Sequence, residues 1–443
     1  MAFETAFFNN SNDFIDFSLT KGADEYIIRK SVPYFLKIGE KTTKDKKMNV
    51  KVKNAIMIGS LCSVSYLAVY IARNILSAVT PQMIEAGYSE SFIGSISSIY
   101  FMCYAVGQLI NGAIGDKIKA KWMISAGLFG AGITNFIFSR VAASPSAAMV
   151  AYGLTGFCLS MIYAPMTKVV SENTEPKYAT RCSLGYTFAS FFGSPAAGLL
   201  ASFLAWQSVF AVSSAILVFM AIMVVVFFTM MERKKIVRYG LYKPQAKGAK
   251  NIGVLFERKI VKFSFISILT GVVRTSVVFW LPTYIAQYLN FSAKNSASIF
   301  TAATLVISFT AFIAVFIYEK LGSDINKTVL IMFSSSAVFF ALTYFVKIPA
   351  LNVVCIVLAI MSSNGAATML WSRYCPSLRD TGMVSTATGF LDFLSYMAAA
   401  AANLIFANAA PAIGWSNLIL VWFGLMIVGI AVALPYDKFR KKD

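Results

Sequence analysis

Histidine is absent from all 443 residues, the acidic side chains number 20 against 39 lysines and arginines, and charged residues make up only 13% of the chain. The first absence removes most zinc chemistry, imidazole general-base catalysis and the usual histidine-containing triads. Cysteine is sparse too. Cys62, Cys103, Cys158, Cys182, Cys355 and Cys375 are scattered, mostly in apolar stretches and without CxxC spacing, so they read as small packing residues and not as a metal site or disulfide frame. With no nucleophile and base pair to build on, an enzyme is not expected, nor is any cofactor or metal.

What the chain has is hydrocarbon. Hydrophobic residues make up 58% of it and the mean hydropathy is +0.68, far above a soluble domain of this length. Stretches of ~20 apolar residues, enough for a ~30 Å hydrocarbon core at ~1.5 Å per residue, recur near 55–80, 92–114, 122–139, 147–170, 183–204, 208–230, 261–287, 295–318, 328–346, 350–372, 383–407 and 413–434. The expected fold is an all-α membrane protein of twelve transmembrane helices in two groups of six, with the lipid bilayer as its main partner.

The net charge of +19 does not call for nucleic acid, because the basic residues fall where topology puts them. Lys41, Lys44, Lys46, Lys47, Lys51 and Lys53 precede the first span. Arg233, Lys234, Lys235, Arg238, Lys243, Lys247 and Lys250 separate the sixth from the seventh, and Lys438, Arg440, Lys441 and Lys442 end the chain. By the positive-inside rule these regions are cytoplasmic, which places both termini inside a cytoplasmic (inner) membrane. The turn from Pro81 to Ser91 and those near 205 and 410 carry no Lys or Arg, as outer loops should. The acidic, aromatic N-terminus lacks a basic n-region and an apolar h-region, so it is no cleavable signal. It has no assignable job. The expected organisation is a cytoplasmic tail 1–54, a six-helix bundle 55–230, a cytoplasmic linker 231–260 carrying Gly240, Pro244, Gly248 and Gly253, a second bundle 261–435 and a tail 436–443. A monomer is expected.

The two bundles repeat one another. ARNILSAVTPQMIEAGYS puts Pro81 eight residues after Arg73, and VRTSVVFWLPTYIAQYLNFS puts Pro282 eight residues after Arg274. GDKIKAK, with Asp116 and Lys117, follows the second span as GSDINK, with Asp324, follows the eighth; the aspartates are 208 positions apart and the arginines 201. Repeated halves of like orientation are a common build of secondary transporters. The aspartates and Lys117 read as turn-capping and ion-pairing devices, and the prolines as structural marks of the same register.

Arginine at membrane depth costs roughly 2.5–3.5 kcal/mol on insertion scales, so it faces protein or a watery cavity. Arg274 lies twelve residues past Lys262, or ~18 Å along a helix, and Arg73 is at a similar or somewhat greater depth. Tyr66, Tyr70 and Arg73 follow at i, i+4 and i+7 on one face. Tyr100, Tyr104, Gln108 and Asn111 form a second polar stripe, and Tyr163, Tyr186, Ser190, Asn364, Thr388, Asp392 and Tyr396 add polar groups at depth. Asp392 is the one clear intramembrane acid, so the guanidiniums outnumber their internal counter-charge and an anionic ligand should supply the rest. A guanidinium fork suits phosphate or carboxylate oxygens, and a phosphate monoester matches two arginines best.

These residues carry a family likeness. YLAVYIARNILSAVTPQMIEAGYS with IGSISSIYFMCYAVGQLINGAIGDK resembles the first two helices of the organophosphate:phosphate antiporters of the major facilitator superfamily, the glycerol-3-phosphate and hexose-phosphate transporter group. VVRTSVVFWLPTYI resembles their seventh helix and PSLRDTGMVSTATGFLDFLSYM their eleventh, the likeness running over roughly 55–435. The resemblance implies the major facilitator fold of two pseudo-symmetric bundles, alternating access, exchange of an organophosphate for inorganic phosphate, and phosphoryl binding by Arg73 and Arg274. It also sets Tyr66, Tyr70, Tyr104 and Tyr396 among the pore tyrosines, with Tyr163 where glycerol-phosphate carriers have tryptophan. Departures bear on the organic moiety: Asn74 and Phe279 replace a lysine and an acid together, Ser190 a histidine, and Gln108 a lysine. Two rivals remain open, a symporter of hexuronate-like carboxylates with Asp392 carrying the proton, and a non-transporting hexose-phosphate sensor.

Overall fold

The structure, a computed structural model, describes residues 23–115, 118–239, 253–378 and 384–434, with side chains from Val50 onward except those of residues 112, 113, 115, 176, 177, 180, 183, 184, 187, 188, 190 and 384–386. Two units are distinguished. Met1–Asn54 is helical from Ala23, and Ala55–Asp443 contains the helices that meet around the centre.

Among the described residues ten helices are long and apolar enough to cross a membrane. They comprise α1 (Val50–Glu85), α2 (Glu90–Asn111), α3 (Ala120–Val141), α4 (Pro145–Asn173), α6 (Trp206–Arg233), α7 (Ile260–Gln287), α8 (Ala293–Lys320), α9 (Ile325–Phe345), α10 (Pro349–Ser377) and a long tenth, Ala387–Ala433. Between α4 and α6 lies α5 (Pro176–Phe203), whose described apolar part, Phe191–Phe203, is shorter. The long tenth is two helices joined at Gly414, where φ is +78°, a backbone region that costs glycine little and other residues much. They are α11 (384–413) and α12 (415–433). All twelve expected spans are thus helical.

Local chemistry sets several boundaries. Pro145 and Pro176 begin α4 and α5 at the position where a missing N–H is harmless. Ser292 caps α8 by accepting from Asn295 N, and Asp324 caps α9 by accepting from Asn326 N at 2.9 Å and Lys327 N at 3.1 Å. Asp324 therefore holds a helix start; Asp116 and Lys117 lie outside the described residues. Pro81 and Pro282 are both buried near the far ends of α1 and α7.

Among the described residues, hydrogen bonds between the halves lie at mid-depth and at the end away from Arg233 and Ile260. Ser77 Oγ donates to Phe279 O (2.7 Å), Asn403 Nδ2 to Ser97 Oγ (2.8 Å), Gln287 Nε2 to Glu90 Oε1 (2.6 Å), and Ser308 Oγ to Phe191 O (2.9 Å). Glu85 Oε1 accepts from Ala293 N at 3.3 Å, so a carboxylate of one half caps a helix of the other. Gly94 lets α2 approach α11 there: a Cβ would strike Ala407 Cβ and lie 2.9 Å from Asn403 O. On the linker side the first half is tied to itself. Lys121 and Glu232 pair at 2.5 Å, and Arg238 N donates to Asn173 Oδ1 at 2.6 Å. Tyr239 packs beside them, its phenol pushed up by burial and then by Glu232.

Candidate functional site

Arg73 sits in the middle of α1 and points between the halves. Its Nη1 donates to Tyr396 Oη on α11 at 2.8 Å, a charge-assisted bond across the domain boundary. Its Cζ lies 4.7 Å from the Tyr396 ring centroid, 5.3 Å from Phe101 and Tyr104, and 5.4 Å from Tyr70. The aromatic faces hold the cation's flat sides by cation–π attraction. One donor is committed to Tyr396 and the rest of the fork keeps capacity for a further acceptor.

Arg274 is half-buried on α7, its Cζ 6.0 Å from the Trp371 ring on α10. Both residues lie in π-helical turns, Val272–Val277 and Leu370–Tyr374, inside otherwise α-helical spans. Such turns are frequent at functional sites. Asp392, half-buried on α11, lies in the field of both guanidiniums, Arg274 the stronger, with Gln108 of α2 beside it. Among the described residues, ion pairs within 4.0 Å join Lys121 to Glu232 and Lys327 to Asp324; neither Arg73 nor Arg274 takes part in one. The three central charges sum to one positive charge.

The expected tyrosines form a connected lining. Tyr66 contacts Tyr70 (centroids 4.9 Å), Tyr163 (5.6 Å) and Tyr186 (6.1 Å), and Tyr104 stands edge-on to Tyr396 at 5.0 Å. Tyr66, Tyr104, Tyr186 and Tyr396 are buried, whereas Tyr163 is 43% exposed and supplies the open end of the row. The side chain of Ser190 lies outside the described residues. The structure thus brings Arg73, Tyr66, Tyr70, Tyr104, Gln108, Tyr163, Tyr186, Asp392 and Tyr396 together, with Arg274 joined through Asp392.

Phe101 and Trp371 also contact the arginines and were not singled out from sequence. Phe101 stands one residue from the tyrosine stripe at Tyr100 and Tyr104, so helical spacing alone placed it next door. Nothing in local spacing marks Trp371; its role depends on how α10 packs against α7.

Two bundles of membrane helices around a central pair of cations define a membrane transporter. The chain belongs to the Major Facilitator Superfamily, whose family profile matches residues 62–403. It is similar to the glycerol-3-phosphate transporter of Bacillus subtilis (strain 168), at 21% identity over 427 residues covering 90% of this chain and 94% of that protein. It also resembles the phosphoglycerate transporter protein of Salmonella typhimurium (strain LT2), at 23% identity over 406 residues, 84% of this chain and 85% of that one. Among solved structures, a bacterial homologue of the human lysosomal transporter Spinster, inward-facing and unoccupied, superposes with a TM-score of 0.73 at 11% identity over 86% of this chain and 96% of that chain. That likeness establishes the fold. The protein is accordingly a multi-pass membrane transporter and not an enzyme.

Proposed function

We propose that the protein carries organic phosphate esters across the membrane in exchange for inorganic phosphate, by alternating access, with Arg73 and Arg274 binding the phosphoryl group. The observation that carries this reading is the pair of guanidiniums, one on each half, that have no carboxylate within ion-pairing distance among the described residues. The phosphate esters in the names of two long-matching relatives agree with it.

The arrangement suggests how binding moves the halves. Among the described residues the hydrogen bonds between them gather away from Arg233 and Ile260, which supports entry of a ligand from the side of Arg233 and Ile260, the cytoplasmic face by the positive-inside rule. An oxyanion that reaches both arginines removes their mutual repulsion and favours drawing the linker-side ends together. The Arg73–Tyr396 bond is then exchanged for one to the ligand, and the contacts at the far end give way. Without an anion the excess positive charge opposes the closed intermediate, which couples outward passage of one anion to inward passage of another. Asp392 sets the balance: a monoanion neutralises the site as it stands, and a dianion does so when Asp392 takes a proton.

Proteoliposomes loaded with phosphate should take up labelled phosphate rapidly, and empty ones slowly. Equal uptake without internal anion removes the exchange claim. Inhibition by glucuronate in preference to phosphate esters would point to the carboxylate symporter, and tight phosphate-ester binding without flux to the sensor.

A further inference from the structure

The two arginines occupy corresponding positions in the repeat yet meet different surroundings, and the packing of α7 on α11 supplies the reason. Parallel seams of small residues run along both halves. In the first, a Cβ on Gly59 would lie 2.7 Å from Cys182 Sγ, one on Gly185 2.8 Å from Ser63 Oγ, and one on Gly193 2.7 Å from Tyr70 C, so α1 and α5 pack too closely for larger side chains at these places. Throughout that contact α1 is α-helical. In the second, Ser267 Oγ donates to Leu391 O (2.6 Å), a Cβ on Gly271 would lie 2.6 Å from Ser395 O, and Ser276 Oγ donates to Ala399 O (2.9 Å).

The register differs. On α11 the partners 391, 395 and 399 advance by four and four; on α7 the contacts 267, 271 and 276 advance by four and then five. The π turn at Val272–Val277, where Val278 N donates to Val273 O, absorbs the extra residue. Arg73 stands three places after the seam residue Tyr70, and Arg274 three after Gly271. Three α-helical residues at ~100° leave a side chain ~60° from the seam, whereas five residues to the turn leave it ~145° away. Arg73 accordingly meets α2 and α11, and Arg274 faces Trp371 on α10.

We propose that this π turn is a positioning element for Arg274: the seam with α11 holds one surplus residue in α7, and that residue turns the guanidinium away from the seam and toward Trp371 of α10. Seam and turn act together, since the contacts at Ser267 and Ser276 fix both ends between which the surplus residue must be housed. The significance for transport rests on the anion-binding role proposed for Arg274; the aim of the side chain does not.

Register is tested by disulfide trapping in a background whose six native cysteines are alanine. Ser276→Cys with Ala399→Cys should cross-link readily and Thr275→Cys with Ala399→Cys should not; the reverse result overturns the proposal. Aim is tested by deleting Thr275, which restores four-residue spacing. In a folded deletion variant also carrying Arg274→Cys, modification by a water-soluble methanethiosulfonate should slow at least ~10-fold relative to Arg274→Cys alone, and an unchanged rate refutes the proposal. Should the deletion variant not fold, the cross-linking pair decides. With Arg274 present, the same deletion should weaken inorganic phosphate binding at least ~10-fold, as the loss of one charge-assisted contact does. Absence of phosphate binding by the unmodified protein defeats the anion reading and leaves the cross-linking result standing.

Discussion

Replacing Arg73 by lysine keeps the charge and removes the fork, which makes it the sharpest probe of how the anion is held. In the structure one nitrogen of Arg73 is spent on Tyr396 at 2.8 Å, and four rings within 5.4 Å hold the plane of the guanidinium. A lysine ammonium offers three donors on one atom and no plane to stack, so it cannot serve Tyr396 and two phosphoryl oxygens in the same geometry. The loss amounts to one hydrogen bond to a charged group, about 1.5–3 kcal/mol, or a ~10- to ~150-fold weaker Kd. Thermal stabilisation by inorganic phosphate reads this directly, because a ligand that binds the folded state stabilises it by mass action. Arg140→Lys, on an exposed arginine stacked over Phe136 at the end of α3, is the control and should leave binding unchanged. A Kd for Arg73→Lys within ~3-fold of the parent, below one charge-assisted contact, would refute the reasoning.

Other perturbations have equally definite outcomes. Gly94→Ala forces α2 away from Ala407 and Asn403, so cysteines placed at the linker-distal end should become more reactive to impermeant reagents; unchanged reactivity means that this contact does not hold the halves closed. Lys121→Met strands Glu232 and should cost up to about 3 kcal/mol, below a fully buried pair because the Glu232 side chain keeps 22% exposure, while Lys121→Met with Glu232→Met should recover most of the melting temperature. Asp392→Asn fixes the central charge at two positives, so phosphate exchange should persist with a flatter pH profile; an unaltered profile removes Asp392 from the charge balance.

Much of this was legible in residue order because a membrane imposes a simple rule. Each span must be apolar for ~20 residues, so the twelve helices stand out, including the pair that turns at Gly414. Cost made the arginines visible: Arg73 and Arg274 are conspicuous since hydrocarbon penalises them. Helical spacing then set Tyr66 and Tyr70 on the face of Arg73, and Tyr100 with Tyr104 on a face of α2. The rest depends on neighbours distant in sequence. Ser267, Gly271 and Ser276 look like ordinary small residues of an apolar helix until α11 is laid against them, and the π turn is defined by that contact. Trp371 and Phe101 are apolar in any hydropathy reading, and only the fold shows that each faces a cation. The links between halves at Ser97, Glu85 and Gly94 belong to one conformation and leave no periodic mark.

The claim that one anion is shared by two arginines is tested most directly by a double-mutant cycle on inorganic phosphate binding, using Arg73→Lys, Arg274→Lys and both. A shared ligand requires non-additivity, with a coupling of at least ~1 kcal/mol between the two substitutions. Penalties that simply add within ~0.5 kcal/mol, or phosphate affinity indifferent to either change, would contradict the account.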